Sequence, residues 1–218
     1  MPEPLLPITR PKITLEQTLA IIRGAGLAIE ASLEALRLAG RIKPQEEETY
    51  AIRAKDEPLG AVRVVAIRGY YLRTMGKPTE NDRGIYDDAL ILMGPNYYQT
   101  FNANTDPSTE KPGMATLLPG WHLFKQGWHG YGKPSGHRAF RPANVAEVLP
   151  VLRDGQKGIK QGLAINLHSG GFVNTGSAGC QTVRADEWRE FQNAAYKLMD
   201  KEGQKTLPYL LVEQKYLL

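Results

Sequence analysis

The sequence predicts an α+β fold dominated by strands, a mixed β-sandwich or sheet body with an N-terminal helical piece and a late packing helix. Three features carry that expectation. Fifteen prolines and 22 glycines spread along 218 residues require many turns between short elements. Runs such as Val62–Arg68 place apolar side chains at the strand period of two. Helical periodicity is confined to two stretches, one near each end of the chain.

Residues 14–40 form the first helical stretch. Thr14 with Gln17 is a capping box, and Gly40 is a C-terminal stop. Leu15, Leu19, Ile22, Ile29, Leu33 and Leu36 recur three and four apart, while Gly24 and Gly26 offer a break into two helices. Residues 41–60, with the run Glu46-Glu47-Glu48, read as a polar connector. The expected organisation is therefore a helical segment and linker over 1–60, then a catalytic body over 61–218. Val62–Arg68, Ala89–Met93 ended by Gly94-Pro95, its hairpin partner Tyr97–Asn102, Trp121–Lys125 and Leu163–Leu167 are the expected strands. Asp186 and Glu187 open the late helix, Trp188, Phe191, Ala195 and Leu198 mark its buried face, and Gly203 ends it. Tyr209–Val212 is a closing strand.

Composition narrows the function. The formal charge of +4 is modest, and no dense Lys/Arg run interleaves with aromatics, so nucleic acid is not the expected partner. An anionic polymer such as the bacterial cell wall suits that charge. One cysteine excludes an intrachain disulfide. No stretch reaches the length of a membrane span, and Met1–Pro7 lacks the basic and apolar regions of a signal peptide. A protein made in the cytoplasm and acting on the periplasmic cell wall then needs a secretion or phage-lysis partner for delivery.

The segment Leu163–Val183 carries the chemistry. A run of apolar residues ends in His168, a glycine-rich loop follows, and Ser177-Ala178-Gly179-Cys180 delivers the sole thiol twelve positions later. An imidazole that takes the thiol proton creates the reactive thiolate. The backbone N–H of Gly179 is a candidate donor to a developing oxyanion.

These residues resemble the signature of the L,D-transpeptidase (YkuD-type) family, in which a strand-end His-Gly or His-Ser leads to Ser-His-Gly-Cys-(Ile/Val)-Arg. The resemblance implies a YkuD-like catalytic fold, with Cys180 as nucleophile, His168 as base and the Ser169 carbonyl orienting the ring. Ser177 and Gly179 match the motif, whereas Ala178 and Thr182 replace its second histidine and its arginine. Asp88–Asn102 resembles the family's hairpin and Ala115–His122 its Thr-Pro-x-Gly turn. The implied substrate is the peptidoglycan stem peptide, with hydrolysis and transfer both open and no metal or organic cofactor.

Trp128, His129 and Tyr131 lie in a Gly- and aromatic-rich stretch suited to a glycopeptide, so they and Ser177 are expected substrate contacts. Asp88, with Asp87, is expected to meet a stem-peptide ammonium. Two other readings stand beside this one. His122 or His129 with His168 and Cys180 would ligate zinc in a wall-degrading amidase or peptidase. A non-catalytic wall-binding protein is the third.

Overall fold

A computed structural model describes residues 9–75, 82–172 and 174–217. The Met1–Pro7 stretch and Asn81 lie outside the described residues. The chain is mixed helix and strand, with sheet dominating. Helix α1 (Leu15–Leu38) is followed by α2 (Pro44–Ala54). Then come strands β1 (Arg63–Arg68), β2 (Asp88–Gly94), β3 (Tyr97–Asn104), β4 (Ala115–Leu117), β5 (Gly120–His129) and β6 (His137–Pro142). Strands β7 (Val148–Arg153), β8 (Lys160–Leu163), β9 (Leu167–Ser169) and β10 (Gln181–Val183) precede helix α3 (Ala185–Lys201) and strand β11 (Thr206–Glu213). Eight strands close into a barrel in the order β1-β11-β5-β6-β9-β10-β3-β2, and β4-β7-β8 form a separate sheet.

Alternation along the strands serves two apolar layers. Val64, Ala66, Leu90, Leu92, Tyr209 and Leu211 share a core with Phe191, Ala195 and Met199 of α3. Their neighbours Val65, Ile67, Ala89, Ile91, Leu210 and Val212 pack under Ala25, Ile29 and Leu33 of α1 and Tyr50 and Ala54 of α2. Both faces are buried, which is why these strands read as nearly continuous apolar runs. The N-terminal helices thus share one core with the barrel; residue 60 is no break in packing.

The first helix takes the unbroken one of its two expected forms, and a second helix stands where a connector was expected. α1 runs unbroken through Gly24 and Gly26, starts at the Thr14–Gln17 capping box and ends before Gly40, whose φ is +64°. The stretch expected to be a connector holds α2, with Pro44 at its start and the Glu46 carboxylate accepting from the Lys43 amide at 2.8 Å. α2 lies so close to β5 that a Cβ on Gly120 would stand 2.8 Å from Ala54 Cβ, which only glycine avoids. No helix among the described residues is long and apolar enough to cross a membrane.

Leu163–Leu167 is not one strand. β8 ends at Leu163, Ala164 turns at φ +51°, and β9 begins only at Leu167. β4, β6, β7 and β10 are not among the strands expected from sequence. β7 contains Pro150, which removes a ladder donor and disguises the strand.

Candidate functional site

Strands β9 and β10 run parallel, with Gln181 beside Leu167 and Thr182 beside His168. The Gln181 amide donates to the Asn166 carbonyl at 2.8 Å. Carried back one place, that register sets Cys180 beside Asn166 and on the face that carries His168. β6 lies between β9 and β5, where it pairs His137 with His129. His129 thereby reaches His168: their rings stack with centroids 3.8 Å apart and planes 18° from parallel. One ligand-type atom each from His129, His168 and Cys180 lies within 4.8 Å of the others.

The ring of His168 is held in one tautomer. Its Nδ1–H donates to the Ser169 carbonyl at 2.7 Å, which leaves a lone pair on Nε2. That Nε2 is buried and has no hydrogen-bond partner among the described residues. His129 Nδ1 meets the Asn166 side-chain amide at 3.1 Å, while Asn166 Oδ1 and His137 Nε2 are also buried without partners among those residues. Three orphaned polar atoms in one small region mark a place where a ligand or water belongs.

Cys180 is half-buried, and its thiol points at the Ala164 carbonyl at 3.7 Å. Burial pushes the thiol up, and the Asn166 backbone works against that push. Burial, then the neighbouring His129, lowers His168 to about 3 against the help of its Ser169 hydrogen bond. Both groups are therefore neutral at rest, a thiol beside an imidazole and not a preformed ion pair.

The turn that presents the sulfur is braced on all sides. Ser177 Oγ donates to the Cys180 carbonyl at 2.7 Å, and the Ser177 amide donates to Ser108 Oγ at 2.7 Å. The Ser108 amide donates to the Ser177 carbonyl, and the Ala115 amide to the Ala178 carbonyl. Gly179 has φ +136°, and a Cβ there would lie 2.5 Å from the Ala115 carbonyl oxygen, so the close crossing requires glycine. Tyr86 closes the other side of the loop by donating to the Gly171 carbonyl at 2.7 Å.

The expected site residues divide accordingly. Cys180, His168, Ser169 and His129 converge. Ser177 is drawn into bracing the turn and not toward a ligand. The Gly179 amide donates to Ser177 Oγ at 3.0 Å in a buried setting, so it is committed and does not serve as the expected oxyanion donor. Trp128 is 43% exposed and Tyr131 is 81% exposed, with their rings edge-to-face at 6.1 Å beside His129. Asp88 does not join the site: it is fully buried, and its carboxylate accepts from the amides of Gly69 and Thr105 at 2.5 Å each. His122 is also apart, buried and bonded through Nε2 to the Leu118 carbonyl at 2.9 Å, and burial lowers it to about 4.

Sequence reasoning missed three residues here. Asn166 lies two places before His168, which in a strand means the same face. His137 follows from the pairing of β5 with β6. Phe172, 69% exposed in the glycine loop, adds a third exposed aromatic. No family model, no curated protein and no solved structure matches the chain.

Proposed function

We propose that the protein is a cysteine-dependent acyltransferase or hydrolase of peptidoglycan stem peptides, with a YkuD-like catalytic body. The observation that carries this reading is the buried, unshared lone pair of His168 Nε2 close to the sole thiol, in a tautomer set by the Ser169 carbonyl. That is the arrangement a general base needs before a cysteine attacks a carbonyl.

The Cys180 sulfur attacks a stem-peptide carbonyl while its proton passes to His168 Nε2. With the Gly179 amide committed to Ser177 Oγ, the backbone amide of Cys180 itself serves as the donor to the oxyanion. The tetrahedral adduct collapses to a thioester, and His168 returns the proton to the departing amine. Water then gives hydrolysis, or a second amine gives transfer, and free thiol is regenerated. No metal or organic cofactor takes part.

Purified muropeptides incubated with the wild type should yield a shortened or exchanged stem, and intact-mass spectra should show a transient acyl group on Cys180. A folded wild-type protein that gives neither product nor adduct would end the proposal. If that inert protein still sediments with sacculi, the non-catalytic wall-binding reading replaces it.

The exposed Trp128 and Tyr131 suit the flat faces of a glycopeptide. Trp128→Ala is expected to raise KM roughly three- to tenfold, with kcat changed less than about twofold, since a stacking contact made equally in ground and transition states affects binding alone. Steady-state kinetics on a defined muropeptide measure this, and an unchanged KM removes Trp128 from the substrate surface.

A further inference from the structure

We propose that His129, His168 and Cys180 form a binding site for a soft divalent cation, zinc fitting best, and that the bound ion withholds the thiol from reaction. The second half of this inference rests on the reading of Cys180 as the reactive group. The first half stands on geometry alone.

The three donors come from β5, from β9 and from the turn before β10, and one ligand-type atom of each lies within 4.8 Å of the others. Two imidazoles and a thiolate are a common zinc set that leaves one position open. His168 also has the outer support that zinc-binding histidines carry, a ring N–H donated to a backbone carbonyl. His168 donates its Nδ1–H to the Ser169 carbonyl, whereas His129 Nδ1 accepts from the Asn166 side-chain NH2 and so keeps its ring proton on Nε2. Nε2 of His168 is thus an open lone pair, buried with no partner among the described residues, and His129 offers its Nε2 once the ring proton moves to Nδ1 and the unpartnered Asn166 Oδ1 turns to accept it. His168 is itself only 4% exposed, so an ion there would be largely enclosed.

The same geometry argues that zinc is a guest and not a resident. The two rings stack nearly parallel, 18° apart, so the in-plane directions in which they would bind an ion lie in parallel planes and do not converge on a point. Zinc bonds of about 2.0–2.1 Å to nitrogen and about 2.3 Å to sulfur require the donors to close in and the rings to splay. The site therefore exists ready for thiol chemistry and must rearrange to hold the ion. On binding, the Cys180 S–H bond breaks, a Zn–S bond forms, and the proton leaves to solvent with no change of oxidation state. His168 Nε2 spends its lone pair on the metal and ceases to be a base.

The full chain, stripped with a chelator, provides the test without any substrate. Zinc alone is added in competition with a chromophoric chelator, and alkylation of the chain's one cysteine by iodoacetamide is followed by mass. The expected result is one equivalent of zinc bound and alkylation slowed at least tenfold. His129→Gln and His168→Gln, each verified folded by thermal unfolding, should weaken zinc at least tenfold and abolish the protection. Cobalt(II) substituted for zinc should show a thiolate charge-transfer band that Cys180→Ala removes. Absence of binding, or protection that survives in both histidine variants, overturns the site. If stripped protein turns over muropeptides only after zinc is restored, the withholding role is overturned, and a resident catalytic zinc replaces the cysteine mechanism with it. If zinc binds and protects as expected but no preparation acts on muropeptides, the site stands and the proposed function alone fails.

Discussion

Cys180→Ala, His168→Ala and the double variant are each expected to slow muropeptide turnover on the order of a thousandfold or more, and by nearly the same factor. Equality is the sharper part of the expectation. Burial raises the Cys180 thiol and lowers His168 to about 3, so neither group carries charge at rest. There is no standing thiolate that would keep working once the imidazole is gone. Sulfur without its base is then nearly as inert as no sulfur, and removing both costs little beyond removing one. Single-turnover rates on a defined muropeptide, with each variant's thermal unfolding as a folding control, check this. A His168→Ala protein that keeps most of the wild-type rate would remove the imidazole from the mechanism. Losses that multiply in the double variant would show that the two groups act independently.

Much of this arrangement is legible in the sequence, and the illegible part has physical reasons. His168 and Cys180 announce themselves because a glycine-rich loop joins them within one short segment. His129 is visible only as an aromatic-flanked candidate; its stacking on His168 depends on β6 lying between β5 and β9, a pairing distant in sequence. The oxyanion expectation for Gly179 fails through local chemistry: Ser177 Oγ is close enough to take that amide. Strands β1, β2 and β11 are legible because both their faces are buried. β7 is hidden by Pro150, and α2 by its charge, since only Tyr50 and Ala54 of its eleven residues are buried. Asp88 was misread for a related reason. An acidic pair beside a turn looks solvent-facing until its backbone donors, Gly69 and Thr105, are placed by the barrel.

That buried carboxylate underlies the largest stability effect. Arg68→Met is expected to cost about 3–5 kcal/mol of unfolding free energy at pH 8, the range for stranding a buried charge. For a chain of this length the melting temperature would fall on the order of 10 °C. Arg68 is 6% exposed and stands 3.3 Å from the Asp106 carboxylate. Its guanidinium donates to the Thr105 hydroxyl, the Thr105 carbonyl and the Leu117 carbonyl. Burial, then Asp106, already lifts Asp88 well above the usual carboxylate range, and Arg68 opposes that lift. With the arginine gone only the hydrogen bonds from Gly69 and Thr105 still oppose the lift, so Asp88 takes a proton more readily in the folded variant than in the wild type. A folded carboxyl whose affinity for a proton exceeds the unfolded one gains stability below the unfolded value, near 4, and loses it as pH rises through the folded value. The cost of Arg68→Met should accordingly shrink at pH 5, where Asp88 is protonated, and be largest at pH 8. Urea unfolding of both proteins at the two pH values measures the difference; an equal cost at both, or one under about 1 kcal/mol, defeats the argument. The effect should also reach the site, because Arg68 fixes Thr105 and the same loop carries Ser108, which exchanges two hydrogen bonds with Ser177 in the turn that presents Cys180. Loosening that loop moves the thiol relative to His168, so alkylation of Cys180 in Arg68→Met should lose its wild-type rate at temperatures well below the variant's melting point.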